Sequence, residues 1–351
     1  MYNPKFNISN KILKNIGIIE ASREVIDHAP LLPYYEKQFR DSALVRAVHY
    51  GTHIEGNELN LTQAQKLMTG QEVVGRDRDI QEVMNYRKAM EFLQEIRDKQ
   101  KEISGISEDV IKKLHKITVN KVLPIDKCGE YRKTQVVIKN NQTLEVSFRP
   151  PEASLVSQQV NDLLVFIESS QSQDVHAVLE SGIVHYELVR IHPFVDGNGR
   201  VARALSTLIL FTKGYDIRKF FSLEEYFDSN AQEYYSALQS VAKNNGDLTN
   251  WLEYFTQGLA IELSKIKEKV EKISVDGKIR EKLGGKPLLL TERQLKIVEY
   301  IQETGYLQNK VFEILFPMVS EDTILNELKV LLQNGIIKKQ GVTKGAKYVM
   351  N

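Results

Sequence analysis

The sequence predicts a mainly α-helical protein: a helical body that carries one β-hairpin, followed by a small C-terminal unit in the order of a winged helix-turn-helix. Three observations predict it. Apolar residues recur at helical spacing through most of the chain, as in Val110, Leu114, Ile117 and Val122, or Leu163, Leu164, Phe166 and Ile167, and alternating runs are few. One segment breaks that period. GEYRKTQVVIKNNQTLEVSFRPP, residues 129–151, has a β-branched run, a polar turn at Asn140-Asn141-Gln142, a second apolar run and closing prolines, the pattern of a hairpin. Beyond residue 288 three short helical stretches precede IIKKQ and AKYVM, two strands around a Gly341 to Gly345 turn.

In chain order, residues 1–70 read as an N-terminal helical region and 71–258 as the central body. The hairpin is marginal alone, so it should lie against helices and leave an edge on which a peptide can pair. Residues 259–287 turn to a charged helix containing IELSKIKEKVEKISVDGKIREKLGG before Pro287; opposite charges three or four apart make it a solvated connector. In residues 288–351, LTERQLKIVEYIQETG, LQNKVFEILFP and SEDTILNELKVLLQNG read as three helices, the third capped by Ser320. This unit holds eight basic and seven acidic side chains, and its would-be recognition helix carries Glu321, Asp322 and Glu327. Major-groove readers carry a basic footprint. DNA is therefore a candidate partner that ranks behind protein docking or dimerisation.

At 351 residues the chain has room for two or three domains. A net charge of +1 supplies no global field to draw nucleic acid or an anionic membrane. The single cysteine, Cys128, excludes an intramolecular disulfide and a cysteine-cluster metal site. No window approaches the roughly 20 apolar residues of a membrane-spanning helix, so a soluble cytoplasmic protein is expected.

The chemistry concentrates in HPFVDGNGR, residues 192–200. AVLESGIVHYELVRI before it is helical in pattern and Pro193 cannot continue that helix; RVARALSTLILFTKG after it is helical again. Phe194 to Gly199 is thus a loop feeding a helix N-terminus, where unpaired amides and the dipole attract anions and glycines admit a phosphate. Arg200 and Arg203, three apart, share one helix face and suit successive phosphates. Asp196 suits Mg²⁺ held against those phosphates. His192 has a pKa suited to taking a proton. Phe194 and Val195 are expected to pack inward and anchor the loop. Neither GxxxxGK[ST] nor a kinase glycine loop occurs. His185 and His192, seven apart with Glu187 nearby, raise a zinc site, but HExxH is absent and a third ligand is not evident. The alternative for the loop is a polar turn capped by Asp196.

HPFVDGNGRVAR, residues 192–203, resembles the signature HPFx[D/E]GNGRxxR of the Fic family, protein adenylyltransferases that move AMP from ATP to a hydroxyl of a target protein. GEYRKTQVVI resembles the family's flap hairpin and EYYSALQSVAKNNGD its nucleotide-binding segment, so the likeness spans roughly residues 34–258. The C-terminal unit resembles an appendage of some members. The resemblance implies that His192 deprotonates the attacking hydroxyl and that Asp196 binds Mg²⁺ between the α- and β-phosphates. Gly197, Asn198 and Gly199 would form the anion hole, and Arg200 and Arg203 would bind the outer phosphates. It further implies that Tyr235 and Asn244 line the adenosine pocket with Val136 of the flap against the base, that the target docks along the flap, and that the protein forms a homodimer. Tyr235 reads equally as an ordinary core aromatic.

Upstream, YGTHIEGNEL, residues 50–59, resembles the inhibitory motif [S/T]xxxE[G/N]. Glu55 would pair with Arg203 in the place of the γ-phosphate. Gly51 stands where the family has Ser or Thr, which suggests a looser brake. His49 and His53 nearby are assigned no function. The implied activity is autoinhibited AMP transfer. Removal of AMP by the same loop, UMP or phosphocholine transfer, and a nucleotide-sensing transcription regulator are the alternatives.

Overall fold

A computed structural model describes residues 2–29, 31, 33–98, 106–139, 146–170, 175–273, 290–317, 319–341 and 346–351. The chain divides into two compact units, Met1–His28 with Glu36–Lys269, and Ala29–Tyr35 with Val270–Asn351. Residues 1–28 and 36–70 fall in the same unit as the central body.

The first unit is helical around α7 (Ala177–Ile191), which is buried without interruption from Val178 to Leu188. A helix buried on every side belongs at the centre of a domain. Several of its polar side chains tie it to neighbouring elements. Ser181 Oγ lies 2.8 Å from the Ser206 carbonyl of α8 (Asn198–Thr212), and Glu180 pairs with Lys213 at 3.0 Å. His185 Nε2 meets Tyr234 Oη at 2.9 Å amid Phe227, Trp251 and Phe255. Burial pushes the His185 imidazole down to about 3, so it is neutral and spent on packing. That placement removes it from any zinc site with His192, and among the described residues no cluster of His, Cys, Asp and Glu could hold a metal ion by itself. Trp251 of α11 (Thr249–Ile273) donates to the Gly182 carbonyl at 2.7 Å, tying α11 to α7.

Around this axis lie α1 (Asn10–His28), α2 (Pro33–His53), α3 (Leu61–Met68), α4 (Asp77–Asp98), α5 (Glu108–Thr118), α6 (Val156–Ser170), α9 (Leu223–Ser229) and α10 (Ala231–Lys243). Local sequence sets several starts: Asn60 and Gln63 close a capping box on α3, and Ser107 caps α5. The hairpin is short. β1 (Ile138–Lys139) pairs antiparallel with β2 (Val146–Phe148), Ile138 opposite Phe148; the expected turn at Asn140-Asn141-Gln142 lies outside the described residues. No described helix is long and apolar enough to cross a membrane.

The second unit contains α12 (Glu292–Thr304), α13 (Phe312–Leu315), α14 (Glu321–Gln333) and an antiparallel pair, β3 (Ile337–Gln340) with β4 (Lys347–Met350). Leu307 adds a bridge to Tyr348. Ile297, Ile301, Phe312, Ile324, Leu328 and Leu331 form its core. Thr291 caps α12 in a capping box with Gln294, and Ser320 caps α14. Glu327 does not face solvent: it accepts from Arg293 Nε at 2.9 Å and Gln294 Nε2 at 2.7 Å. Residues 274–287 of the expected connector, and 342–345 of the expected turn, lie outside the described residues.

Candidate functional site

The loop between α7 and α8 holds its own shape. Asn198 Oδ1 accepts the Phe194 amide at 2.9 Å and its Nδ2 donates to the Phe194 carbonyl at 2.9 Å. Phe194 is fully buried and stacks on His115 at 3.7 Å between ring centres. Val195 does not pack inward as its hydrophobicity suggested: it is 39% exposed, because the turn that buries Phe194 directs its neighbour outward. Gly197 has φ +78° and a Cβ there would meet Val119 Cγ1 at 2.7 Å, so the turn into α8 requires glycine. No side chain caps the first turn of α8, which leaves its amides open to an anion.

Two buried residues, Arg132 on the approach to the hairpin and His115 of α5, brace this loop. Arg132 is 4% exposed; its Nε donates to the His192 carbonyl at 2.9 Å, its Nη2 to Ile191 and Pro151, and its Nη1 to Thr134. Its own amide donates to the Pro193 carbonyl at 2.9 Å. His115 accepts the Gly129 amide on Nδ1 at 2.9 Å and has Nε2 3.1 Å from the Asp196 carbonyl. The first contact fixes the tautomer with the proton on Nε2. Burial holds this imidazole down at about 4, so it stays neutral. In the sequence Arg132 is one residue of the flap-like segment and His115 carries no motif; both act on partners 60 to 81 positions away.

His192 ends α7 in a left-handed conformation, φ 50° and ψ 59°. Its Nδ1 lies 3.3 Å from the Val189 carbonyl, which places the ring proton on Nδ1 and leaves Nε2 as a lone-pair acceptor. Burial pushes its pKa below the ordinary 6.5, so the imidazole is neutral at physiological pH. Glu55, Gly199, Arg203 and His192 line one cavity of about 350 Å³. Ile138 and Phe148 of the hairpin and Tyr235, Leu238 and Ala242 of α10 line the same cavity and give it apolar walls. Val136 and Asn244 are not among the lining residues: two positions along the hairpin, Ile138 takes the wall, and Asn244 is the exposed C-cap of α10 while Ala242 and Lys243 face in.

The charges are paired within the site. Arg203 Nη2 meets Glu55 Oε1 at 2.8 Å and the Gly51 carbonyl at 2.8 Å. Burial opposes the Arg203 charge, but the Glu55 carboxylate together with the Tyr234 and Tyr86 hydroxyls outweighs it and holds the guanidinium above its usual range. A Cβ on Gly199 would lie 2.2 Å from Glu55 Oε1, so the Glu55 carboxylate sits directly against the start of α8. Arg200 faces elsewhere: Nη1 lies 3.3 Å from Glu82 and Nη2 3.5 Å from Asp196. Asp196 also accepts from Arg78 Nη2 at 3.0 Å and from the Gly197 amide at 2.6 Å. Arg200 Nε and Nη1 and Arg203 Nε are buried with no hydrogen-bond partner in the protein. Buried guanidinium donors left open in this way call for a further polyvalent acceptor. Gly51 is not a loose point. A Cβ there would meet the buried Tyr86 ring at 2.4 Å, so the glycine lets α2 and α4 approach while its carbonyl serves Arg203.

Residues 105–210 match the Fic/DOC family model. They are a Fic domain. The chain is 26% identical over 292 residues to the protein adenylyltransferase fic-1 of Caenorhabditis briggsae, covering 75% of this chain and 54% of that protein. It is 28% identical over 249 residues to the fic-1 of Caenorhabditis elegans, covering 70% and 45%. The chain thus spans about half the length of these curated relatives. A Fic family protein from Desulfovibrio desulfuricans G20 shares the fold at a TM-score of 0.67 and 23% identity over 100% of this chain and 98% of that one. A Fic domain containing signaling protein from Bacteroides thetaiotaomicron VPI-5482 superposes at 0.60 with 23% identity, covering 77% and 97%. The loop, its two braces and the β1–β2 hairpin all belong to the Fic domain; Glu55 and the α10 wall lie outside the matched residues and complete its cavity.

Proposed function

We propose that the chain is a protein adenylyltransferase that moves AMP from ATP to a Ser, Thr or Tyr hydroxyl of a target protein, with Glu55 as its brake. The observation that carries this reading is the shared cavity, in which His192, Gly199, Arg203 and Glu55 meet at an uncapped helix start.

His192 Nε2 takes the hydroxyl proton as that oxygen attacks the α-phosphorus; the bond from that phosphorus to the oxygen bridging the α- and β-phosphates breaks and pyrophosphate leaves. Charge grows on the phosphate oxygens, where the first-turn amides of α8 and the open guanidinium donors stabilise it. Asn198 contributes through its backbone alone, because its side chain is spent on Phe194. The adenine lies between Ile138 and Phe148 on one side and Tyr235 and Leu238 on the other. Asp196 offers one partly exposed carboxylate, which fits magnesium held mainly by phosphate oxygens. That ion supplies charge neutralisation at the phosphates. In this reading Arg78 yields Asp196, and Glu55 yields Arg203, when the nucleotide binds.

The target's hydroxyl is delivered by a segment that pairs with the hairpin edge. Residues 288–351 form a winged helix-turn-helix for protein docking or homodimerisation in preference to DNA, since α14 opens with Glu321 and Asp322 and turns Glu327 inward. An ATP-dependent activity and a lone free cysteine suit a cytoplasmic setting. The deciding experiment is the intact mass of the Glu55→Gly chain incubated with ATP and Mg²⁺ in the presence of a cell extract. A gain of one AMP unit on any protein, lost with His192→Ala, supports the reading; nucleotide binding without transfer to any protein overturns it.

A further inference from the structure

We propose that Glu82 is a positioning residue that couples Arg200 to the Glu55 brake, so that a phosphate arriving at one loosens the other; the inference rests on the adenylyltransferase reading of the cavity. Glu82 lies on α4, only 5% exposed, outside both HPFVDGNGRVAR and YGTHIEGNEL. Its Oε1 is 3.3 Å from Arg200 Nη1 and 3.0 Å from Arg78 Nε. Its Oε2 accepts from Asn57 Nδ2 at 3.3 Å. Asn57 is two residues beyond Glu55 and is itself buried at 3%. One carboxylate therefore holds the first arginine of the loop and the segment that carries the brake.

The rest of that segment is fastened to the same helix start. Asn57 Nδ2 also donates to the Asp79 carbonyl at 3.0 Å, the Glu58 amide donates to Asp79 Oδ2 at 3.2 Å, and Arg76 Nη2 donates to the Gly56 carbonyl at 3.0 Å. The turn bearing Glu55 closes through the Glu55 and Asn57 amides, both on the Thr52 carbonyl. The segment that presents Glu55 to Arg203 is thus fastened to the start of α4 through residues 56–58.

Arg200 is held by charge without good hydrogen bonds: two of its donors have no partner. A phosphate oxygen satisfies those donors better than Glu82 does, and its negative charge repels the Glu82 carboxylate. Glu82 then gives up Arg200 and shifts, its bond to Asn57 weakens, and the brake loses one of its fastenings. Linkage makes the coupling reciprocal, so loosening the Asn57 end must favour anion binding at Arg200.

Two measurements on the full chain test this. Amide hydrogen exchange without nucleotide compares the wild type with Glu82→Gln. The coupling predicts exchange about tenfold faster at Glu55, Gly56 and Asn57, with Trp251 to Thr256 of α11 unchanged; unaltered exchange at residues 55–57 overturns it. Calorimetric ATP affinity is then compared for the wild type, Glu55→Gly, Glu82→Gln and the double variant. Glu82→Gln should tighten binding about three- to tenfold when Glu55 is present and by a clearly smaller factor when it is absent. The same factor in both backgrounds overturns the coupling. If Glu55→Gly itself binds no ATP, the adenylyltransferase reading fails while the exchange result still decides the coupling. Should Glu82→Gln not fold, Asn57→Ala cuts the link at its other end and must give the same exchange and the same unequal factors.

Discussion

Glu55 and Arg203, 148 positions apart, meet at 2.8 Å on a single guanidinium nitrogen that also serves the Gly51 carbonyl. The Glu55 carboxylate of this pair lies against Gly199 at the α8 N-terminus, so under the proposed function carboxylate and phosphate compete for one place. Glu55→Gly should tighten ATP binding at least about tenfold, roughly 1.4 kcal/mol, and raise AMP transfer in step. Titration calorimetry and transfer from α-labelled ATP measure the two; unchanged affinity would show that Glu55 is no competitor.

Gly199 offers an independent test of where the phosphate lies. An added Cβ would overlap the Glu55 carboxylate and stand 3.1 Å from Arg203 Nη1. In the Glu55→Gly background, Gly199→Ala should therefore lose ATP affinity by about tenfold or more while its melting temperature holds. Retained affinity would move the nucleotide elsewhere.

The pH profile follows from the environment of His192. Burial lowers its pKa, while the Glu55 carboxylate raises it. The base form therefore persists below pH 6.5, and removing Glu55 moves the acid limb further down. Single-turnover rates of Glu55→Gly should be flat from neutrality to about pH 6.5 and fall only below it. An acid limb centred above the ordinary histidine value would contradict the assignment.

Arg132 fixes the backbone of His192, Ile191 and Pro193 to the hairpin approach. Arg132→Gln should cost about 100-fold in turnover, with the KM for ATP within about threefold, because a base displaced by an ångström still faces a bound nucleotide. The positive charge of Arg132 also lowers the His192 pKa, so the acid limb should move up. A merely structural role would leave that limb in place; steady-state kinetics across pH separate the two.

Gly51→Ser should cost about 1–3 kcal/mol of stability, because its Cβ would press on the buried Tyr86 ring. Thermal denaturation reads this directly. The hydroxyl at this position would not tighten the brake: the Gly51 carbonyl already serves Arg203, and moving α2 away from Tyr86 would draw it off.

Much of the fold was legible because its signals are local. Period, caps and glycines marked the helices of both units, and HPFVDGNGR stated the loop, its helix start and its acid-base residues within nine positions. The pairing of Glu55 with Arg203 came from a second motif and the family resemblance. What stayed hidden depends on chain segments meeting. Arg132 and His115 act on carbonyls, which leave no trace in residue type. Nothing in the sequence around Glu82 marks it as a buried carboxylate. Val136 and Asn244 missed the cavity wall by one or two positions, since strand pairing and the helix end decide which neighbour faces inward. The glycine at 51 read as slack because Tyr86 is 35 residues away in the sequence, although the structure packs it tightly.

Asn198 closes its loop by gripping both the amide and the carbonyl of Phe194, so the curve of that loop exists before any guest arrives. Its ordering entropy is spent during folding instead of at each encounter. Under the proposed function, the step that gates entry is then the release of one glutamate and not the folding of a loop, and association should be correspondingly fast, with the speed of the machine set by how often that single arm lets go.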